Sequence, residues 1–302
     1  MTGNRHVDSS VPVAVIGAAG FIGRRVVDRL AGAGARIVAL DRVAEAPDFP
    51  KNAEYRRVDL SSGLDAIPPA DVLVHLAWNM DRADSAGQAA SAAVFARLLD
   101  SGSWRAVVGL GSAEEYGELE GRLSEDMAPG LKLSAYGKAK HEACRSLEAW
   151  SRGAGRKAVW LRPFVVYGPG QGGNMAIPYA LRCARERQSA DFSEGLQFRD
   201  FVHVDDVADG IAAAALGLPS MQPDFAVCNL GRGEPVRLRD VLERIAHKAG
   251  ARDLFRFGAR SMRPGEPQEQ YAETSSAAGL FGWRARISWK NGIDALCREA
   301  VR

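Results

Sequence analysis

The chain has 302 residues, 46% apolar and 25% charged, with a net charge of +2, as expected for a soluble protein of one large domain or two lobes. Its basic residues, 32 Arg and 7 Lys, are scattered, which argues against a nucleic-acid-binding face. No apolar run reaches the ~18 residues of a membrane span, and residues 1–10 are polar, predicting a disordered tail rather than a signal peptide. Cys144, Cys183, Cys228 and Cys297 are far apart with no metal-ligand spacing. A cytoplasmic protein with buried free thiols and no metal is expected.

The first predicted element is the apolar run Val13-Ala14-Val15-Ile16, which feeds Gly17-Ala18-Ala19-Gly20-Phe21-Ile22-Gly23 and then a helical pattern from Arg24. This G-x-x-G-x-x-G spacing is looser than the usual dinucleotide fingerprint, yet the same physics applies. Gly17 takes a turn closed to other residues, Gly20 lets the main chain approach a pyrophosphate, and Gly23 lets the helix close on the strand. Unpaired amides at the helix start, around Phe21 and Ile22, then face the phosphates. A second run, Arg36-Ile37-Val38-Ala39-Leu40, ends in Asp41, where a ribose-binding carboxylate belongs about 20 residues on. Arg42 and Arg24 could accept a 2′-phosphate, but Asp41 repels one, so NAD is expected rather than NADP.

Further on, Glu54-Tyr55-Arg56-Arg57-Val58 ends in Asp59-Leu60, and Asp71-Val72-Leu73-Val74-His75-Leu76-Ala77 reads as a central parallel strand. Helices predicted over 85–99 and 135–151 cross to apolar runs at 105–111 and 158–163. Such alternation specifies an α/β, Rossmann-type doubly wound parallel sheet whose ligands lie beyond the carboxyl ends of the strands. Gly17, Asp41, Asp59, Ala77, Ser112 and Pro163 all fall at such ends. Beyond Pro163 the alternation breaks. A loop covers 168–173, with helices at 175–187, 207–216 and 238–249, strands at 198–204 and 225–230, and a polar tail from Arg263. The expected domains are a Rossmann domain over 11–170, to which 198–230 returns, and a smaller mixed α/β substrate lobe from 171–197 and 231–302.

Tyr136 is the one tyrosine with a lysine, Lys140, four residues on, so the two share a helix face. A phenol titrates near 10, but a neighbouring ammonium and a positive nicotinamide ring would favour the phenolate. Tyr136 could then pass a hydroxyl proton while a hydride moves, with Lys140 also holding the nicotinamide ribose. Ser112 follows a predicted strand and could position the reacting carbinol.

Together these pieces resemble an extended short-chain dehydrogenase/reductase of the NAD-dependent epimerase/dehydratase group, which acts on nucleotide sugars. The resemblance covers 13–293 and includes the glycine loop, Asp59-Leu60, His75-Leu76-Ala77, Ser112-Ala113 with Tyr116-Gly117, and Tyr136 to Lys140. It continues through Arg162-Pro163, Val166-Tyr167-Gly168-Pro169-Gly170-Gln171, Arg199-Asp200-Phe201-Val202-His203-Val204-Asp205-Asp206-Val207 and Arg263-Pro264-Gly265. It implies Ser112, Tyr136 and Lys140 as catalytic residues, with Asp41 on the adenosine ribose and Asp59-Leu60 flanking the adenine. Leu76, Ala77 and Pro163 would line the cofactor, and Asn174, Arg199 and Arg263 would bind the substrate diphosphate, a task suited to the guanidinium fork. It also implies a homodimer formed through the helices after Ala77 and Ser112, to which Leu147 and Trp150 could contribute, although core packing explains those two residues equally well. Three departures bear on the substrate: Val165 and Ser91 stand where relatives carry asparagine, and the segment between Ala77 and Ser91 is short.

Three chemistries suit such a site. A 4-epimerase oxidises C4 of a nucleotide hexose and returns the hydride to the other face. A 4-keto-6-deoxyhexose reductase consumes external NAD(P)H. A 4,6-dehydratase or decarboxylase adds a base near C5, for which Glu114 stands two residues after Ser112. The order of preference is epimerase, reductase, dehydratase; an NAD(P)H-sensing binding protein is the non-enzymatic alternative.

Overall fold

The computed structural model describes residues 12–102, 104–172 and 175–300; the tail expected to be disordered, 1–10, lies outside them. The chain opens with β1 (Pro12–Ile16), α1 (Gly23–Gly32), β2 (Arg36–Asp41), β3 (Ala53–Arg57), β4 (Val72–His75), α2 (Ser85–Ser101) and β5 (Ala106–Leu110). A 3-10 turn (Ala113–Tyr116), β6 (Gly121–Leu123), α3 (Ala135–Ser151), β7 (Lys157–Pro163) and β8 (Val165–Tyr167) follow. Next come α4 (Ala176–Glu186), β9 (Ala190–Asp191), β10 (Phe198–Arg199), β11 (Phe201–His203), α5 (Val204–Gly217) and β12 (Phe225–Leu230). The described chain closes with β13 (Val236–Arg237), α6 (Leu238–Lys248), β14 (Phe255–Arg256), β15 (Glu269–Ala272), α7 (Ser275–Phe281) and α8 (Trp289–Ala300).

Seven strands form a parallel sheet in the order β12-β7-β5-β4-β1-β2-β3. The order reverses between β1 and β4, the place where doubly wound sheets open a ligand crevice. Both faces are covered, so the inner strands are largely apolar and buried rather than alternating, whereas the edge strand β3 is polar and mostly exposed. Val15, Val74, Val108 and Val159 face one way, onto Val26, Val27 and Leu30 of α1 and Val207 and Ile211 of α5. Their neighbours Ala14, Leu73, Val107 and Ala158 face the other way, onto Phe95 and Leu98 of α2 and Leu147 and Trp150 of α3. Each large side chain buried in this way contributes about 1.5–3 kcal/mol. Leu147 and Trp150 are therefore interior residues of the chain's own core, which selects core packing over the dimer contact as their part in the fold.

The starts of α2 and α3 are fixed by side-chain caps. Asp84 accepts from the Gly87 amide at 2.9 Å and Ser134 from the Gly137 amide at 3.0 Å, each satisfying a donor the helix leaves unpaired. The second cap puts Tyr136 in the first turn of α3. The strand expected over 198–204 is two strands in different sheets. The cause is Asp200, a buried carboxylate that accepts from the amides of Arg232, Gly233 and Ala272 at 2.8, 2.8 and 3.1 Å. The following helix starts earlier than expected, at Val204, because His203 Nδ1 caps the Asp205 amide at 3.2 Å and two acids occupy the first turn.

A second core packs Ile177 and Ala180 of α4, Leu242 and Ile245 of α6, and Ile293 and Leu296 of α8. The paired strands β8 and β11 join the two cores, since alternate residues face opposite ways. Val166 and Val202 point to the larger core, Tyr167 and Phe201 to the smaller. Ala277 of α7 and Trp283 pack in the larger core. A four-stranded sheet, β13-β10-β15-β6, draws on four distant parts of the chain.

Candidate active site

The glycine loop leaves β1 and turns beneath the end of β4. Gly17 has φ +84°, and a Cβ there would sit 2.7 Å from the Ala77 amide nitrogen; glycine is required on both counts. A Cβ at Gly23 would meet the Gly17 carbonyl at 2.0 Å, so α1 can approach the loop only as glycine. Ile22, the N-cap of α1, offers no capping side chain, and the first turn holds no acid. No side chain competes for the amides there, although the Arg24 amide donates to the Gly20 carbonyl at 3.2 Å, and the helix dipole favours an anion. Asp41 closes the loop's far side, accepting from the Ala19 amide at 2.9 Å and the Arg42 amide at 2.7 Å. These features fit a dinucleotide: helix-start amides for its phosphates and a carboxylate for its ribose. Arg42 is exposed, and its carbonyl accepts from Arg57 Nε at 3.2 Å. Asp59 is exposed and holds the amide and hydroxyl of Ser61, which keep its carboxyl below the usual range, while Leu60 packs on the core.

Phe21 carries the Arg25 guanidinium over its ring at 5.4 Å. Arg25 also donates to the Phe21 carbonyl at 2.9 Å and the Pro169 carbonyl at 2.6 Å, and pairs with Asp205 at 3.0 Å. Asp205 of the 199–207 motif thus clamps the glycine-loop helix to α5. Leu76 donates its amide to the Ile16 carbonyl at 2.9 Å, and Pro163, buried, ends β7.

Ser112, Tyr136 and Lys140 come together beyond β4 and β5. Ser112 caps the 3-10 turn, its hydroxyl accepting from the Glu114 amide at 3.1 Å. Tyr136 is 6% exposed. Burial pushes its phenol up to about 12, the carboxylates of Glu114 and Glu115 add to the rise, and Arg82 and the Ser112 hydroxyl act against it. Lys140, also buried, donates to the Leu110 carbonyl at 2.7 Å and lies 3.7 Å from the centroid of the Trp78 ring, against 5.7 Å for Tyr136. Burial pushes its ammonium down to about 7, with Arg82 adding to the fall and Glu115 opposing it. His75, buried beside it with Nε2 unpartnered among the described residues, is pushed down to about 3 by burial and by the Lys140 charge.

Arg82 and Glu115 carried no signal in the spacing. Arg82 lies 4.8 Å over the Tyr136 ring and pairs with Glu114. Glu114 also accepts from the Ser134 hydroxyl at 2.9 Å. Behind Ser112, Glu115 is wholly enclosed. It accepts from the Ser112 amide at 2.8 Å and from Trp160 Nε1 at 2.9 Å, and pairs with Arg162 at 3.0 Å. Burial alone would lower the Arg162 value, but Glu115 and Tyr116 raise it.

Toward the smaller lobe, Arg199 pairs with Glu266 at 2.9 Å, and the Glu266 amide donates to the Arg263 carbonyl at 3.1 Å. The Arg199 side chain thus reaches the turn that Arg263 begins, and Arg263 is exposed. Asn174 lies outside the described residues. Among the described residues no helix is long and apolar enough to cross a membrane.

A sequence model described as the NAD dependent epimerase/dehydratase family matches residues 13–228. The chain belongs to the NAD-dependent epimerase/dehydratase family. It is an enzyme of the extended short-chain dehydrogenase/reductase type. CDP-abequose synthase of Salmonella typhimurium is 31% identical over 137 residues, 44% of this chain and 45% of that protein; the match spans about half of that relative's length. dTDP-6-deoxy-L-talose 4-dehydrogenase (NAD(P)+) of Kitasatospora kifunensis is 27% identical over 94% of each chain. The solved structure of MoeE5 in complex with UDP-glucose and NAD superposes with a TM-score of 0.85 at 28% identity, over 96% of this chain and all of that one.

Proposed function

We propose that this family member is an NAD-dependent nucleotide-sugar epimerase that inverts C4 of a nucleotide hexose by transient oxidation. The observation that carries the reading is the convergence of the Tyr136 phenol, the Ser112 hydroxyl and Lys140 beside the loop of Gly17. The complex of the MoeE5 structure with UDP-glucose and NAD supports both the cofactor and the substrate class. NAD, when bound, supplies the hydride acceptor.

Tyr136 takes the proton of the C4 hydroxyl as that carbon is oxidised and returns it after the ring has turned over, while Ser112 holds the oxygen in line. Lys140 is one turn further along the same helix face. Arg199 and Arg263 grip the diphosphate across the turn at Glu266, holding the nucleotide while the sugar rotates. Glu114 is engaged by Arg82 and Ser134, which favours a redox-neutral inversion over a dehydration needing a free base at C5. One observation favours a second reading: the match along 94% of a 4-dehydrogenase suits a 4-keto-sugar reductase running through the same residues.

Incubation with UDP-glucose, UDP-glucuronic acid and a dTDP-4-keto-6-deoxyhexose separates the two readings. Inversion at C4 of a UDP sugar with no net NADH change is expected; stoichiometric NADH consumption with the keto sugar alone would replace epimerase by reductase. Tyr136→Phe is expected to lower turnover by about 10²–10⁴-fold while the cofactor still binds, and retained turnover would remove Tyr136 from the acid/base role.

A further inference from the structure

The short segment 77–84 delivers two side chains to the catalytic helix. Trp78 covers the Lys140 ammonium at 3.7 Å, and Arg82 lies 4.8 Å over the face of the Tyr136 ring. The segment is held as a unit. Gln88, fully buried in α2, accepts from Trp78 Nε1 at 2.7 Å and donates to the carbonyls of Asn79 and Asp81 at 3.0 and 2.8 Å. The Asn79 amide group donates to Asp84 at 2.9 Å, and Asp84 caps α2.

This arrangement changes what Lys140 can do. Its charge is spent on the Leu110 carbonyl and the Trp78 ring, it is 5.7 Å from the Tyr136 ring centroid, and burial brings it to about 7. Near neutral pH it is a partial charge, nearer to the Trp78 ring than to that of Tyr136, whose phenol burial already holds up. A guanidinium stays ionised throughout this range, and one lying over an aromatic face gains most when the ring carries the electron density of a phenolate.

Resting on the acid/base role of Tyr136 above, we propose that Arg82 is a second cation of the site, a positioning residue that stabilises the Tyr136 phenolate from the ring face. The groups facing Tyr136 are Arg82 from the segment before α2, Glu114 and Glu115 from the 3-10 turn, the Ser112 hydroxyl, and Lys140 from its own helix. The two carboxylates oppose the phenolate. Glu114 is paired with Arg82, so the same contact that seats the guanidinium offsets one of them.

The test is an ultraviolet difference titration of the phenolate in NAD-loaded protein, each variant read against Tyr136→Phe in the same background. A cation at this distance shifts a neighbouring acid by about 1–3 pH units, and the 44% exposure of the Arg82 side chain puts the effect at the lower end. Arg82→Gln and Arg82→Met are expected to move the Tyr136 titration up by about one pH unit, tenfold less phenolate at a fixed pH. Arg82→Lys is expected to stay nearer the wild type, and added salt to narrow the gap. A titration unchanged in either neutral variant overturns the proposal, since a residue that only anchors the segment would leave it in place. Should both neutral variants lose their fold, Arg82→Lys decides: a rise as large as one pH unit overturns it, and a titration near the wild type supports it. No sugar is present in this measurement, so its outcome is independent of whether the C4 inversion assay succeeds.

Discussion

The two ends of the candidate site are made of different material. At the proposed nucleotide end, the work falls to main chain: a turn at Gly17, a close approach at Gly23, and helix-start amides with neither a side-chain cap nor an acid beside them. At the proposed sugar end it falls to ionisable side chains taken out of water. Tyr136, Lys140, Glu115 and Arg162 are all buried within the few residues around Ser112. A backbone site is hard to damage except by adding atoms. A site of buried charges is sensitive to the loss of any one of them, because each partner's desolvation is offset only by the others.

The sharpest way to expose that difference is Glu115→Gln. It leaves the Arg162 guanidinium, 7% exposed, without its carboxylate in the interior, and breaking a buried pair from one side costs about 3–5 kcal/mol. Urea unfolding is expected to register a loss of that size. The double variant Glu115→Gln with Arg162→Met should recover part of it, because no uncompensated charge remains. Full stability in the single variant would show that the pair is not what holds the floor under Ser112.

Lys140→Met probes the same end through pH. In the unfolded chain Lys140 keeps its proton to near 10.5, whereas in the fold burial brings the value to about 7. Between those values the unfolded state binds more protons, so this residue's contribution to stability rises with pH across the window and is least favourable below it, where both states are charged. In the apoprotein, wild-type stability relative to Lys140→Met is expected to climb by a few kcal/mol from pH 7 toward 10.5. A flat difference would mean that the ammonium keeps its ordinary value inside the fold.

The same contrast explains what could be read from residue order. The alternation of apolar runs and helical patterns specified the parallel sheet, and the 3.6-residue period joined Tyr136 to Lys140, because both signals are local. The four-stranded sheet was invisible: its strands are two to four residues long and come from 121–123, 198–199, 236–237 and 269–272, too short for any period. Arg82, and the contact of Trp78 with Lys140, were invisible for another reason. Nothing in residues 77–84 announces that Gln88 will fold them back onto α3, since that contact is made by tertiary packing. Asp200, Asp205 and Asp206 stood out as a motif, yet their carboxylates bind main-chain amides and α1 arginines rather than reacting groups. Spacing signalled that these residues mattered and left open whether they served chemistry or architecture.

The smallest expected effect lies at the nucleotide end, where two glycines three residues apart should respond differently. Gly17→Ala forces a side chain into φ +84° and 2.7 Å from the Ala77 amide nitrogen, which sets a strain cost of about 1–3 kcal/mol on folding itself. Gly20→Ala meets only the Gly17 carbonyl at 3.2 Å and needs no unusual backbone angle, so the apoprotein should lose well under 1 kcal/mol. Its methyl group would instead stand where the main chain meets the pyrophosphate. Thermal melts with and without NAD distinguish the cases: Gly17→Ala should melt early in both, whereas Gly20→Ala should match the wild type alone and gain less from added NAD. A Gly20→Ala protein stabilised by NAD as fully as the wild type would move the phosphates away from this loop, and with them the hydride acceptor that Tyr136 and Ser112 are argued to serve.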